Sequence, residues 1–286
     1  MILELLKEQS GFTDSEKNLA DFMLSHGLEM GKITISELAE RTYSSPATIT
    51  RFCRKLGMNG FRDFRILFLS EYEKSLNHEK VDINLPFSKN DSFELITKKM
   101  ENLNAATISR VTSSFDYDQL KRIVYQMHDA HVINIYAAGM SNMVAQDFAV
   151  KLARLGKQVN IERDSTLLYA YAVNCEKEYF NLLISQSGET EKILKCGSIL
   201  RKKGCRTVAI TGKKTSTLAS LCDEVIYVET DEDDSFAAKI ESFASYYGVH
   251  FVLDCLYCYL YKTDYDRNVR KSEANVRLIE AEGRKQ

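Results

Sequence analysis

The chain of 286 residues exceeds the length of one average domain and can bury a core in each of two. Its formal net charge of −2 excludes a chain-wide attraction for nucleic acid, so any such binding needs a local concentration of Lys and Arg. Seven cysteines, an odd number, and an N-terminus that lacks a long apolar region exclude a secreted disulfide scaffold and predict a soluble, cytoplasmic protein.

The first part of the chain carries the signals of short helices. Thr13–Glu16 and Thr34–Glu37 each match the capping box, in which a hydroxyl and a carboxylate satisfy free N–H groups at a helix start. After a short break, Ser45 is suited to cap a third helix with Pro46 at its first position, and this helix is expected to stop at Gly57. Short helices joined by a tight turn are the pattern of a helix-turn-helix.

The third helix has two chemically distinct faces. Apolar residues recur at helical spacing and predict a buried face formed by Ile49, Phe52, Cys53 and Leu56. The opposite face carries small, hydroxyl-bearing and cationic side chains, which suit a helix that enters the major groove of DNA. The predicted DNA-binding residues are Ser44, Ser45, Ala47, Thr48, Thr50, Arg51, Arg54 and Lys55. The alternative is a helix face that is merely solvated. Between Arg41 and Arg65, however, the cationic residues are accompanied by a single acidic residue, Asp63, and this excess of positive charge favours DNA binding.

A polar stretch without sustained periodicity runs from Asn77 to Ser92 and contains Pro86, one of only two prolines. We interpret it as a linker and as the hinge between two domains. The predicted organisation is a helix-turn-helix domain at 1–76, a linker at 77–92 and a second domain at 93–286.

After this stretch the pattern changes to alternating strands and helices. Apolar, strand-like runs occur at Val132–Ala137, Tyr179–Ile184, Thr207–Thr211 and Val225–Val228. Helical stretches lie at Asn142–Leu155 and Glu191–Lys203, each ended by a glycine. This alternation predicts right-handed crossovers and a doubly wound parallel sheet covered on both faces, so the fold class is α/β with an all-α N-terminal domain.

Two hydroxyl-bearing loops follow predicted strands, at the sheet edge where such folds bind ligands. They are Ala137–Ser141 and Ser185–Thr190, the latter with the sequence SQSGET. A helix N-terminus leaves N–H groups free and attracts an anion, so two such loops side by side predict a phosphate site. For either loop taken singly, simple helix capping is the alternative. The predicted effector-binding residues are Gly139, Ser141, Ser185, Gln186, Ser187, Gly188, Thr190 and Glu241.

The sequence contains few candidates for a general acid or a general base. The five histidines are scattered, and the carboxylates that would suit a general base, Glu189 and Glu241, have no identifiable acid partner. No catalytic residue, metal site or cofactor is therefore predicted.

Two features of the last third of the chain have plain structural readings. Cys255 and Cys258 have the spacing of a metal pair, but no second pair lies nearby in the sequence, so core packing is expected. The apolar stretch Ile240–Tyr261 is interrupted by charged residues, which predicts a buried helix or a subunit interface and no membrane span.

These segments together resemble the RpiR-type bacterial transcriptional regulators, which join an N-terminal helix-turn-helix domain to a sugar isomerase (SIS) domain. In the first half the resemblance rests on Ser44–Gly57 and Asn59–Phe61. In the second half it rests on Ser185–Thr190, Ile210–Thr211, Ser216–Ala219 and Asp254–Leu256. The chain departs from the family pattern at Ala137, where glycine is common, and at Thr217, where proline is usual.

The resemblance implies a dimeric or tetrameric cytoplasmic regulator whose SIS domain binds a phosphosugar effector. It implies that the phosphate is bound by Ser141, Ser185, Ser187 and Thr190. We accordingly expect a repressor of sugar metabolism genes whose partners are double-stranded operator DNA, a phosphosugar and further copies of itself, as a homodimer or homotetramer. The alternative is a phosphosugar isomerase or lyase of the SIS type, because the same loop serves those enzymes.

Overall fold

The computed structural model describes residues 2–78, 81–89, 91–162, 164–233, 235 and 237–283. The chain divides into two compact units, Met1–Leu103 and Asn104–Gln286, and the division falls inside a helix. The first unit is helical and the second is α/β with a parallel sheet, which confirms the predicted fold class. The assignment of 77–92 as a linker and hinge stays a prediction, since part of that segment lies outside the described residues.

The first unit contains a set of mostly short helices. They are α1 Ile2–Glu8, α2 Asp14–His26, α3 Ile35–Arg41, α4 Pro46–Lys55, α5 Phe61–His78 and the first part of α6 Phe93–Ser113, with a 3-10 turn at Gly27–Gly31. The two predicted capping boxes are present: Glu16 N donates to Thr13 Oγ1 (3.4 Å) and Glu37 N donates to Thr34 Oγ1 (3.2 Å). In each box the glutamate carboxylate accepts the N–H of the cap residue in return. Phe52, Phe64 and Phe68 lie in the centre of the core.

The second unit is built on five parallel strands in the order β2-β1-β3-β4-β5. The strands are β1 Val132–Ala137, β2 Gln158–Ile161, β3 Phe180–Ile184, β4 Thr207–Thr211 and β5 Glu224–Tyr227. The helices are α7 Tyr117–Asp129, α8 Met140–Arg154, α9 Ser165–Val173, α10 Glu191–Lys203, α11 Thr217–Leu221, α12 Phe243–Thr263 and α13 Tyr265–Gly283. The sequence does not predict the edge strand β2, because Gln158 and Asn160 interrupt its apolar pattern.

Both faces of the sheet are covered by hydrophobic side chains. Residues of α7, α8 and α12 form one core with one face, and residues of α9, α10 and α11 form the other core. α12 includes the buried residues Val249, Val252 and Leu253, as expected for a buried helix. Among the described helices, none is both long and apolar enough to cross a membrane.

A ladder of three asparagines, of which Asn134 and Asn181 are buried, fixes the register of the strands that lead to the predicted site. Asn160 Nδ2 donates to Asn134 Oδ1 (2.9 Å), and Asn134 Nδ2 donates to Asn181 Oδ1 (3.0 Å), across three neighbouring strands. A one-residue slip would break these hydrogen bonds inside the core, where an unpaired amide is costly. The register therefore aligns the ends of β1 and β3, with Ala137 opposite Ile184.

The cysteines are all free thiols. Cys255 is half-buried and Cys258 is exposed, so the expectation that both pack in the core is wrong for Cys258. The reason is their positions on α12, since residues three apart on a helix are offset by about 60° around its axis and need not share a buried face. Within the described residues, the one group with metal-ligand geometry is Asp147, His250 and Asp254, which does not involve either cysteine.

Candidate DNA-binding surface and ligand-binding cleft

Helix α4 begins as its sequence predicts. Ser45 Oγ accepts the N–H of Thr48 (3.1 Å), and Pro46 occupies the first turn, where its missing N–H costs nothing. The hydroxyls at the start of the helix also bond locally: Ser45 Oγ lies 2.9 Å from Thr48 Oγ1, and Thr50 Oγ1 donates to Pro46 O (2.8 Å). These bonds fix the orientation of short polar side chains on the first turn and a half.

The two faces of α4 are separated as predicted. Ile49, Phe52 and Cys53 are buried in the core of the first unit, and burial raises the pKa of the Cys53 thiol to about 12. Arg51 and Arg54 are exposed on the other side. No ion pair between described residues involves either guanidinium. Both groups are therefore free to bind a polyanion.

Lys55 differs from the two arginines. Its ammonium lies 2.7 Å from Glu16 Oε2 and 2.7 Å from the carbonyl oxygen of Gly11, and 5.4 Å from the centre of the Phe12 ring. Partial burial opposes ionisation of Glu16, but hydrogen bonds from Lys55 and from Thr13 N hold the pKa of that carboxyl below its usual value. Lys55 thus fastens α4 to α2, a role that the sequence does not reveal.

Replacement of Lys55 by alanine is expected to weaken DNA binding less than Arg54→Ala does. The exposed Lys55–Glu16 pair contributes at most about 1 kcal/mol to the free energy of unfolding, so the variant stays folded. Urea unfolding and fluorescence anisotropy with labelled duplex DNA measure the two effects. Equal losses of DNA affinity in both variants would contradict this division of roles.

The predicted ligand loops lie at the same edge of the sheet, at the carboxyl ends of the neighbouring strands β1 and β3. In the β1 loop, Gly139 has a φ of 55° and precedes α8 without any side-chain cap. A Cβ on Gly139 would meet no atom within 4 Å, so the space beside this residue is open. Asn142 Nδ2 donates to Glu162 O (3.1 Å) and so ties the first turn of α8 to the end of β2.

The β3 loop is held by its own hydroxyls. Ser185 is buried, and its Oγ lies 2.8 Å from Thr190 Oγ1 and accepts the N–H of Gly188 (3.1 Å). Gly188 has a φ of 71°, and a Cβ there would lie 2.3 Å from the side chain of Ser216. The loop therefore requires glycine at this position. Ser185 and Thr190 therefore stabilise the shape of the loop through hydrogen bonds within it.

Gln186 is oriented from outside its own loop. Its Nε2 donates to Val228 O (3.0 Å) and to Thr230 Oγ1 (3.2 Å). Its Oε1 is buried without a partner among the described residues. An acceptor without a donor is costly inside a protein, so a donor that reached this oxygen would be favourable.

Between the two loops and α12 lies a cleft of about 200 Å³. Its lining includes Ser141, Gln186, Ser187, Lys239 and Ser242. Ser187 Oγ accepts the N–H of Glu189 (3.2 Å), which leaves its own proton available for donation to a ligand. Of the predicted effector residues, three thus line the cleft directly.

Lys239 was missed by sequence reasoning. Its side chain is 7% exposed, and its Nζ lies 3.9 Å from Glu232 Oε2. The Glu232 carboxylate also accepts hydrogen bonds from Ala244 N (2.6 Å) and Ser245 N (3.1 Å) at the start of α12. The segment that carries Lys239 is irregular and acidic, so neither periodicity nor a local motif marks this lysine. It places an ammonium group, paired with Glu232, in the lining of the cleft.

The two carboxylates considered as general bases do not line this cleft. Glu241 is exposed, and its Oε1 accepts the N–H of Ser242 (2.8 Å). Glu189 is exposed as well, and the hydrogen bond from Thr217 N (2.7 Å) holds the pKa of its carboxyl below the usual value. A lowered pKa is the opposite of what a general base near neutral pH needs.

Family models match both halves of the chain. Residues 1–75 match the helix-turn-helix domain of the rpiR family, and residues 126–254 match the SIS domain. The helix-turn-helix match precedes the SIS match along the chain.

Solved structures with the same fold include regulators and isomerases. The NanR protein of Vibrio vulnificus, complexed with ManNAc-6P, is 22% identical, and the match covers 98% of each chain with a TM-score of 0.59. The sugar isomerase domain of an RpiR transcription factor from Sphaerobacter thermophilus is 17% identical over 63% of this chain and 97% of that one, with a TM-score of 0.55. A putative phosphosugar isomerase from Bacteroides fragilis, involved in capsule formation, is 18% identical over 63% and 97%, with a TM-score of 0.52.

An rpiR-type helix-turn-helix domain followed by a SIS domain is the domain composition of one family of regulators. The chain therefore belongs to the RpiR-type transcriptional regulators.

Proposed function

We propose that the protein binds operator DNA through α4 and that a phosphosugar bound in the cleft changes its DNA occupancy. The observation that carries this proposal is the pair of exposed guanidiniums on α4, Arg51 and Arg54, which have no ion-pair partner among the described residues. An exposed helix face with unpaired arginines after a tight turn suits contacts to guanine and to phosphates. Isomerisation of a phosphosugar does not require such a face.

We propose the cleft as the effector site. A phosphate would accept hydrogen bonds from the free N–H groups at the start of α8 and from the hydroxyls of Ser141 and Ser187. The Lys239 ammonium would supply a positive charge nearby. Gln186 Oε1 would accept a sugar hydroxyl. The ManNAc-6P complex of the Vibrio protein supports an effector of this chemical class.

Effector binding and DNA binding are coupled if the effector prefers one of the two states of the protein. A coupling free energy of about 1–3 kcal/mol changes operator affinity about 5- to 150-fold. We propose that the protein is a repressor in the cytoplasm and a homodimer or homotetramer. Two copies of α4 would then bind a roughly palindromic operator with half-sites about one or two helical turns apart.

The test uses the purified full chain and the DNA upstream of its own gene. Fluorescence anisotropy is expected to detect selective binding over unrelated DNA of equal length, and one member of a panel of sugar phosphates is expected to change it. Light scattering of the protein alone and with DNA measures the number of copies. Equal affinity for both DNA molecules, with and without every sugar phosphate, would contradict the proposal.

Phosphosugar isomerisation is the second candidate, and the fold shared with the Bacteroides isomerase favours it. Against it, no carboxylate or imidazole of a described residue lines the cleft. Conversion of hexose or pentose phosphates by the purified protein, followed by NMR and abolished in a Ser187→Ala variant, would support this candidate.

Ser187→Ala is expected to weaken effector binding about tenfold, because a hydroxyl that donates to a charged phosphate is lost. DNA binding without effector should stay unchanged. Thermal shift against the identified sugar phosphate measures the loss, and Ser220→Ala, at an exposed serine of the same unit, is the control. Equal effector affinity in the Ser187 and Ser220 variants would remove Ser187 from the site.

A further inference from the structure

The turn between α3 and α4 contains a residue in an unfavourable conformation. Tyr43 has a φ of 51°, in the left-handed region that side chains with a Cβ avoid. Tyr43 N donates to Glu40 O (3.3 Å) and Ser44 N donates to Ala39 O (2.9 Å). This pattern closes the end of α3 with a left-handed residue after the helix, a position that glycine usually occupies.

The side chain of Tyr43 gains nothing within its own unit that offsets this strain. It is 100% exposed, and no hydrogen bond or ring contact between described residues involves it. Among the described residues, the other left-handed residue that is not glycine is Gln9, which also has a φ of 51°, but its side-chain amide donates to Asp21 Oδ1 (2.5 Å). Strained residues without local compensation are enriched at binding surfaces.

We infer that Tyr43 is a further DNA-contact residue, whose ring packs against a deoxyribose and whose hydroxyl donates to a phosphate at the edge of the groove that α4 enters. In helix-turn-helix docking, the second helix lies in the major groove and the first crosses the backbone, so the turn between them lies near one strand. Tyrosine hydroxyls contact phosphates in such interfaces. This inference rests on the proposed function.

A contact to the backbone carries no base information. Loss of the Tyr43 hydroxyl should therefore lower the affinity for specific and for unrelated DNA by the same factor. Loss of Arg51, if it contacts a base edge, should lower the affinity for specific DNA by the larger factor. The two residues are thus distinguished by the ratio of the two affinities.

The experiment compares Tyr43→Phe and Tyr43→Gly with the unaltered full chain. Fluorescence anisotropy at fixed salt uses two labelled duplexes of equal length, one from upstream of the protein's own gene and one unrelated. Tyr43→Phe is expected to bind both about tenfold more weakly, the effect of one hydrogen bond to a charged group. Tyr43→Gly should bind at least as weakly, although glycine relieves the strain and its unfolding midpoint should not fall.

Weaker DNA binding without a lower unfolding midpoint separates the contact from a folding defect. Tyr125→Phe, at a half-exposed tyrosine of the second unit, is the control and should bind DNA as the unaltered chain does. If both Tyr43 variants keep full affinity while Arg51→Ala loses it, the inference is overturned and the proposed function stands. If the unaltered protein binds neither duplex, the inference and the proposed function are both wrong. If Tyr43→Gly lowers the midpoint, Tyr43→Phe alone decides.

Discussion

Replacing Arg51 by alanine is expected to lower the affinity for specific DNA about 5- to 150-fold, because a contact of arginine to a base edge contributes about 1–3 kcal/mol. The guanidinium is exposed on α4 and has no ion-pair partner among the described residues, so its removal breaks no contact within the protein. The unfolding midpoint should therefore stay unchanged. Fluorescence anisotropy with the duplex from upstream of the gene measures the effect.

The control is Arg201→Ala, which removes one exposed cation from α10 in the second unit. Both variants change the net charge equally, so a general electrostatic effect would weaken DNA binding in both. Equal affinities of the two variants would remove Arg51 from the DNA-binding surface. Effector binding, measured by thermal shift, should be the same in both.

Gly188→Ala is expected to have the largest effect on the second unit. The new Cβ would lie 2.3 Å from Ser216 Cβ and Oγ and 2.9 Å from Thr211 Oγ1, and the φ of 71° disfavours alanine in any case. Strain of this kind should lower the free energy of unfolding by about 2–4 kcal/mol. The displaced loop should also lose most of its affinity for the effector, because binding needs groups placed to within about 0.5 Å.

Gly204→Ala is the matched control, because this glycine of the same unit ends α10 with a φ of 68° and a ψ of 26°, in the left-handed region. Its conformational cost is similar, but its Cβ would meet only Lys177 Cε, at an ordinary contact distance of 4.0 Å. Only the conformational cost remains, about 1–2 kcal/mol. Urea unfolding of the two variants isolates the steric contribution, and an equal loss of stability in both would show that the close approach to Ser216 is unimportant.

The strongest sequence-based predictions concerned residues close together in the chain. The capping boxes at Thr13 and Thr34, the start of α4 at Ser45 and the buried face at Ile49 all depend on spacings of three or four residues. The strands β1 and β4 have the bounds that the sequence predicts, because each is a mostly apolar run whose residues are all buried. The short edge strand β2 lacks that signal and was missed.

The candidate site could be predicted only as a pair of loops. Ser187 and Ser185 look equivalent in the sequence, yet Ser187 lines the cleft and Ser185 is buried against Thr190. The sequence predicts Glu241 as an effector-binding residue, but Glu241 is exposed outside the cleft lining, whereas Lys239 of the same segment is part of that lining. Which side of an irregular segment faces a cleft depends on contacts with distant elements.

The sequence by itself determined the family, the α/β class, the candidate DNA-binding helix α4 and the hydroxyl-rich loops, because these depend on local spacing and on motifs. Only the tertiary structure decided that Lys55 is bound by Glu16, 39 residues away, and that the orientation of Gln186 is set by Val228. The same holds for the full exposure of the strained Tyr43. The physical reason is that hydrogen bonds and packing between distant residues depend on helix packing and strand register, which no local pattern encodes.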